Sequence, residues 1–391
     1  MFTLDHTFEE IMKTEPVGRA IGGLFPACWL ERIPAHHFGH TMRQIAQEDT
    51  MDWGAPFVSE AFLECANMLS DIAESRRFQF IPLWQEQAAE HALSGWKDGI
   101  PDADTNTEDG VWLMTANPEV DNLAFAHTAG QGSVPPYEST AVSPERRDHT
   151  GIRPAVIVCP GGGYAMHATQ SEGIQVAQRM ERDGGFKAFL LNYRITPNYY
   201  PLPQMDLALA VMHVRAHAAR YRIDPDRILI MGSSAGGHLC ASEAYLHEVL
   251  KEHVLARLAA LGTASARYRQ YESVSARPDA LGLLYPVISF LSEYHEGSYL
   301  FLTNEQEGLR ELLSVEQHIT SDYPPTYAFT NADDTCVPPS NTARLDQALT
   351  AAGVKHLCQT YPTGEHGVGL GYECSCKRWS EEMLAFMTDI M

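Results

Sequence analysis

From residue 111 onward, short apolar runs alternate with amphipathic segments, and that alternation leaves a chain few architectures to choose from. Strand-like runs are predicted at 111–116, 123–128, 155–159, 187–193, 227–231, 281–288, 325–330 and 355–361. Helical spacing is predicted between them, near 172–183, 205–220, 236–260, 340–352 and 378–390. Strands that each return through a helix pair in parallel, so a mostly parallel central sheet covered by helices on both faces is expected. Runs such as Ala188-Phe189-Leu190-Leu191 lack polar alternation, as strands buried on both faces require. Thr169 and Glu172 stand at capping-box spacing ahead of a helix that Gly184-Gly185 should stop.

Residues 1–98 have a different texture, with helical spacing in Phe62, Cys65, Ala66, Leu69 and Ile72 and few β-branched runs. They are expected to form a helical N-terminal or cap domain. Residues 99–110 have the polar, turn-rich composition of a linker, and 111–391 make up the α/β domain. Trp53, Phe57, Phe62 and Trp84 are read as helix-packing core rather than a carbohydrate platform. His36, His37 and His40 lack a nearby further ligand, and Cys374-Ser375-Cys376 lacks a second pair, so no metal and no cofactor are expected.

Composition narrows the partners. The 391 residues include 50 acidic against 28 basic side chains, a formal charge of −22, which repels phosphate backbones and anionic membranes. Nucleic acid is therefore excluded as an expected partner. The start of the chain, Met1-Phe2-Thr3-Leu4-Asp5-His6, has no basic stretch followed by an apolar one, and no run approaches the roughly 18 apolar residues of a membrane span. Eight cysteines are scattered without disulfide-framework spacing, as expected of reduced thiols in a cytoplasmic protein.

Four loops carry the chemistry. Ile228-Leu229-Ile230-Met231 runs directly into Gly232-Ser233-Ser234-Ala235-Gly236-Gly237, a G-x-S-x-G sequence on a strand-to-helix turn. A serine nucleophile needs a base, a carboxylate to orient that base, and N–H donors for the oxyanion. Cys159-Pro160-Gly161-Gly162-Gly163-Tyr164 leaves a buried strand as a glycine triplet whose backbone can approach a substrate oxygen, with the Ala235 N–H completing the donor set. No Gly-Lys-Ser/Thr or G-x-G-x-x-G follows that triplet, which argues against a phosphate loop. Asn331-Ala332-Asp333-Asp334 presents two carboxylates, one of which should orient the histidine. Gly364-Glu365-His366-Gly367-Val368-Gly369 follows the last strand and offers His366 as general base. Tyr164, His167 and His238 flank these loops and are candidate substrate contacts.

The order Ser234, Asp334, His366 is that of the α/β-hydrolase superfamily. The chain resembles in particular its acetyl-esterase and acetylxylan-esterase-like branch. There a Pro-Gly-Gly-Gly-Tyr loop, a Glu-Gly pair (Glu172-Gly173), a Tyr-Arg pair (Tyr193-Arg194) and a Ser-Ala-Gly-Gly-His elbow (Ser234 to His238) recur together. Tyr193 to Pro197, Tyr200 to Pro203 and Asp206 are also similar to hormone-sensitive-lipase-like carboxylesterases, but Cys159-Pro160 stands where those usually have a histidine before the glycines. The resemblance covers roughly 110–391 and implies the α/β-hydrolase fold. Its Asp-x-x-Val-Pro pattern points to Asp334, leaving Asp333 as a turn residue. It implies a serine esterase acting on small, short-acyl esters, acetylated sugars among them, with the oxyanion held by Gly162 or Gly163 and Ala235. A serine peptidase of the prolyl-oligopeptidase type shares elbow and triad order, but residues 1–110 are too short and too helical for its propeller. A catalytically dead binding module typically lacks a triad residue, and none is missing here.

Overall fold

The computed structural model describes residues 2–14, 38–47, 63, 66–67, 70, 77–84, 108–117, 120–121, 123–127, 151–261, 267–372 and 374–391. These residues form an eight-stranded sheet in the order β1-β2-β4-β3-β5-β6-β7-β8. The strands are β1 (Phe78–Pro82), β2 (Trp112–Ala116), β3 (Arg153–Cys159), β4 (Lys187–Asn192), β5 (Ile223–Ser233), β6 (Ala280–Leu284), β7 (Thr326–Asn331) and β8 (His356–Tyr361). Strands β3 to β8 run parallel, while β2 is antiparallel to both β1 and β4.

The helices used below are α1 (Gln175–Arg182), α2 (Leu202–Ala216), α3 (Ala235–Ala260), α4 (Glu296–Thr303), α5 (Ser340–Ala352) and α6 (Trp379–Thr388). Alternate side chains of the same strand enter opposite cores, which is why the strands read as unbroken apolar runs. Ile157, Phe189, Leu191 and Ile230 pack with Leu209, Leu239 and Leu345 from α2, α3 and α5. Val156, Val158, Ala188 and Leu190 pack on the other face with Val176, Met180, Trp379 and Met383 from α1 and α6. Strand order reverses between β3 and β5, since β4 lies to one side of β3 and β5 to the other. The loops leaving these two strands open at the switch point where such sheets place their sites.

Four expectations need correction. Residues 78–82, expected to be helical, are the edge strand β1, paired with β2 through Phe78 and Ala116 to Pro82 and Trp112. Phe78 and Phe80 bury one face, and the terminal proline is tolerated at an edge. Residues 123–128, expected as a strand, contain the short helix Ala124–His127, started by Asp121, whose carboxylate accepts the Leu123 N–H at 3.0 Å. Strand β6 stops at Leu284 because Tyr285 turns to φ 36° and Pro286 follows. The capping box is absent: Thr169–Ile174 is one π-helical turn with no side-chain cap, and the Glu172 carboxylate is used elsewhere. Short π segments inside helices often accompany functional sites.

Of the N-terminal aromatics, Trp53, Phe57 and Phe62 lie outside the described residues, as do His36 and His37, whereas Trp84 is buried and donates its indole N–H to Asp206 at 2.7 Å. Among the described residues, no group of three or more His, Cys, Asp or Glu side chains is arranged to hold a metal ion. No described helix is long and apolar enough to cross a membrane.

Candidate active site

Ser234 sits between the end of β5 and the first turn of α3 with φ 52° and ψ −119°. A non-glycine residue held in this sparsely populated region costs about 1–3 kcal/mol, which the packing around it must offset. The flanking glycines show how tight that packing is. A Cβ on Gly232 would lie 2.2 Å from the Gly236 carbonyl oxygen, and one on Gly236 would lie 2.2 Å from the Cys159 carbonyl oxygen. The elbow therefore needs glycine at both positions, and the second brings α3 onto the end of β3. The Ser234 N–H donates to the Leu284 carbonyl at 2.9 Å, tying the elbow to the adjacent strand.

The three distant loops meet at Ser234. His366 Nε2 lies 2.8 Å from Ser234 Oγ, and His366 Nδ1 lies 2.7 Å from Asp334 Oδ2. An ionised carboxylate only accepts, so Nδ1 carries the proton and Nε2 is left to accept from the serine hydroxyl. The Asp334 side chain is fully buried, and its other oxygen accepts the N–H groups of Cys336 and Val337, both at 2.9 Å. Asp333 does different work. It accepts the N–H groups of Gly364 and Glu365 at 3.0 and 2.8 Å, and these bonds hold its carboxyl below the usual range. It anchors the backbone of the histidine loop while Asp334 meets the ring.

Gly162 and Gly163 have φ 130° and 64°, conformations open to glycine. A Cβ on Gly162 would be 2.2 Å from the Met166 carbonyl oxygen, so the loop is folded tightly on itself. Its shape is kept by the Ala165 and Met166 N–H groups, which donate to the Gly162 carbonyl at 3.0 and 3.1 Å. Among the described residues, no acceptor takes the N–H of Gly162, Gly163 or Ala235. The Ala235 N–H is one of the donors that the first turn of a helix leaves unpaired, at the positive end of the long helix α3.

Tyr164, His167 and His238 are committed to the protein interior. The Tyr164 hydroxyl donates to His238 Nδ1 at 2.8 Å, and His238 Nε2 donates to the Leu313 carbonyl at 2.8 Å. His167 Nε2 donates to the Tyr193 carbonyl at 2.9 Å. Burial pushes both histidines down to about 4, so they are neutral struts beneath the glycine loop.

Three residues near the site were not singled out as functional from the sequence. Glu172 is fully buried and accepts the Gly161 N–H at 2.8 Å. Tyr285 stands edge-on to His366, ring centroids 4.9 Å apart. His295 caps α4 by accepting the Ser298 N–H at Nδ1 and overhangs the glycine loop, 3.5 Å from where a Gly163 Cβ would be. Burial and the charge of His366 push His295 down, against a smaller upward pull from Asp334. Only the Glu172-Gly173 pair left a trace in the sequence; Tyr285 and His295 belong to no spacing pattern.

A family model described as BD-FAE matches residues 143–349, a span that holds Ser234 and Asp334 and ends before His366. The chain is 28% identical over 234 residues to endo-1,4-beta-xylanase B of Butyrivibrio fibrisolvens, covering 58% of this chain and 34% of that protein. It is 29% identical over 225 residues to an acetylxylan esterase of Xylanibacter ruminicola, covering 56% of this chain and 41% of that one. The aligned region thus spans well under half the length of either curated relative. Among solved structures, an acetyl ester-xyloside bifunctional hydrolase from Caldicellulosiruptor lactoaceticus is similar, with a TM-score of 0.59, 29% identity, and coverage of 80% of this chain and 96% of that one.

Proposed function

The chain belongs to the BD-FAE family and has the α/β-hydrolase fold, and from that premise we propose that it is a serine-dependent carboxylic ester hydrolase for short acyl esters, acetylated sugars among them. The observation that carries this proposal is the continuous relay Asp334–His366–Ser234, with contacts of 2.7 and 2.8 Å. Ser234 Oγ attacks the ester carbonyl as His366 Nε2 takes the hydroxyl proton. Asp334 holds the imidazole in the useful tautomer and balances the imidazolium. The unpaired N–H groups of Gly162 or Gly163 and of Ala235 receive the developing oxyanion, an effect worth about 3–4 kcal/mol per donor in a comparable enzyme. The tetrahedral intermediate collapses, His366 returns the proton to the departing alcohol, and an acyl-Ser234 ester remains. Water, deprotonated by His366, then attacks that ester and releases the carboxylic acid.

The acyl preference is proposed from the relatives, two of which are named for acetyl ester chemistry. We retain residues 111–391 as the catalytic unit, 1–98 as an N-terminal domain that lends the edge strand β1 to its sheet, and 99–110 as the linker. We also retain a reducing, cytoplasmic setting, which the unpaired thiols of Cys159, Cys240 and Cys376 suit.

Ser234→Ala is expected to lower p-nitrophenyl acetate turnover by about 10⁴-fold or more and to abolish fluorophosphonate labelling. Activity within about tenfold of wild type would refute the assignment. An ester panel graded by acyl length, with and without sugar leaving groups, tests the substrate class. A steep drop beyond butyrate supports a small acyl pocket, and a dipeptide anilide cleaved as fast as the acetate argues for a peptidase.

A further inference from the structure

A buried carboxylate without a basic side chain bonded to it is expensive, and Glu172 is one, set directly beneath the reacting serine. Its two oxygens serve two loops. Oε2 accepts the N–H of Gly161, the first residue of the glycine triplet, at 2.8 Å. Oε1 accepts the Tyr285 hydroxyl at 2.8 Å, and the Tyr285 oxygen in turn accepts the N–H of Gly369, the last residue of the histidine loop, at 3.0 Å. One side chain therefore links the start of the oxyanion loop to the end of the loop that carries His366.

The link has little slack. A Cβ on Gly161 would lie 2.5 Å from Glu172 Oε2 and 3.0 Å from Ser234 Cβ. Tyr285 is held at φ 36°, its N–H donating to the Phe329 carbonyl at 2.6 Å, and its ring packs edge-on against the His366 ring. Downstream, the Gly369 carbonyl accepts the Trp379 indole N–H at 3.0 Å, which fastens the histidine loop to α6. A Cβ on Gly367, next to His366, would be 3.9 Å from Glu172 Oε1, so the carboxylate lies close under the histidine backbone.

We propose that Glu172 is a positioning residue for the hydrolysis: through Gly161 and Tyr285 it holds the oxyanion loop and the histidine loop in one register. Its negative charge, together with that of Asp334, stabilises the imidazolium formed on His366. This rests on the Ser234–His366–Asp334 assignment. No proton transfer is assigned to Glu172 in the cycle; its two oxygens accept from the Gly161 N–H and the Tyr285 hydroxyl. Burial pushes its carboxyl upward, while the Tyr285 hydroxyl, the Gly161 N–H and the charge of His366 pull it back. The groups facing His366 are Ser234 from the elbow, Asp334 from the loop after β7, Tyr285 from the end of β6, His295 from the start of α4 and Glu172 from the π turn. Tyr193 is the further titratable neighbour of Glu172. Of all these, Asp334 and Glu172 are the anions.

Glu172→Gln keeps the shape and removes the charge. In the full chain it is expected to lower kcat on p-nitrophenyl acetate by about 10- to 100-fold with little change in KM, the loss seen when reacting groups are slightly misplaced. The acid limb of the kcat/KM profile should move to lower pH, because the His366 imidazolium loses an anionic neighbour. Tyr285→Phe cuts the bridge but leaves the carboxylate, so kcat should fall about tenfold while the acid limb stays in place. A folded Glu172→Gln with wild-type kcat and an unmoved limb overturns the proposal. A fall in kcat with the limb unmoved overturns its electrostatic half. Should Glu172→Gln fail to fold, Tyr285→Phe decides, and wild-type kcat there overturns the bridge. Activity that survives Ser234→Ala overturns the triad assignment instead, which separates the two failures.

Discussion

Asp333 and Asp334 are adjacent in the chain and opposite in duty. Asp334 spends one oxygen on His366 and the other on two backbone N–H groups, so its side chain has one orientation and no solvent. Asp333 is half-buried and pairs with the backbone of the histidine loop. Neutralising each should therefore give different results. Asp334→Asn is expected to cut kcat by about 10⁴-fold, because an amide no longer enforces the tautomer that leaves Nε2 free to accept. Asp333→Ala removes the acceptor of the Gly364 and Glu365 N–H groups and should cost about 1–3 kcal/mol of local stability with less than about tenfold in kcat. Steady-state kinetics with paired thermal melts distinguishes the two, and equal kinetic losses would contradict the division of roles.

Strands and helices deliver these residues through contacts that local sequence only partly announces. Arg194, just past the end of β4, forms a buried pair with Asp206 of α2: its Nε and Nη2 lie 3.1 and 2.7 Å from one carboxylate oxygen. The other oxygen accepts the Arg194 backbone N–H at 2.9 Å, and the Trp84 indole completes the set. The Arg194 and Asp206 pair is thus a clamp joining the end of β4, α2 and the segment after β1, while the Tyr193 hydroxyl donates to the Pro160 carbonyl ahead of the glycine triplet at 2.6 Å. Removing Asp206 leaves the buried Arg194 guanidinium with the longer contact to Glu108, 3.5 Å away, in place of its nearest anion, so Asp206→Ala should destabilise by about 3–5 kcal/mol. Urea unfolding measures the loss, and a change below about 1 kcal/mol would show that the clamp is dispensable.

Across the whole chain, the balance of buried histidines sets the response to acid. His167 and His238 have folded values near 4 against an ordinary 6.5. Between those limits the unfolded chain binds more protons than the folded one, so stability is complete above about pH 6.5 and falls as pH drops toward 4. Buried Glu172 and Asp206, both pushed upward by burial, oppose this trend in the carboxylate range. Thermal melts from pH 7 to 4 should therefore show a declining midpoint, and His167→Gln combined with His238→Gln should flatten the slope. An unchanged slope in the double variant would mean that neither ring stays neutral in the folded protein. The N-terminal segments share the fate of the sheet, since Phe8, Ile11 and Phe78 belong to the same apolar core as α1 and α6.

Much of the architecture was legible because period and punctuation are local properties. The runs at 155–159, 187–193 and 325–330, and the amphipathic stretches at 236–260 and 340–352, each carry their own signal and lie where strands and helices form. Ser234, Asp334 and His366, which the fold brings into hydrogen-bonding contact, each lie in a turn whose glycines, prolines or paired carboxylates stand out against its neighbours. Residues 78–82 and 123–128 were misread because short segments take their conformation from a partner strand or a single capping carboxylate. The Thr169–Glu172 spacing suggested a cap, yet Glu172 found stronger partners in Gly161 and Tyr285, 11 and 113 residues away. Periodicity and turn chemistry are written in neighbouring residues, whereas the pairing of a buried carboxylate depends on which distant donors the packed sheet brings within about 3 Å.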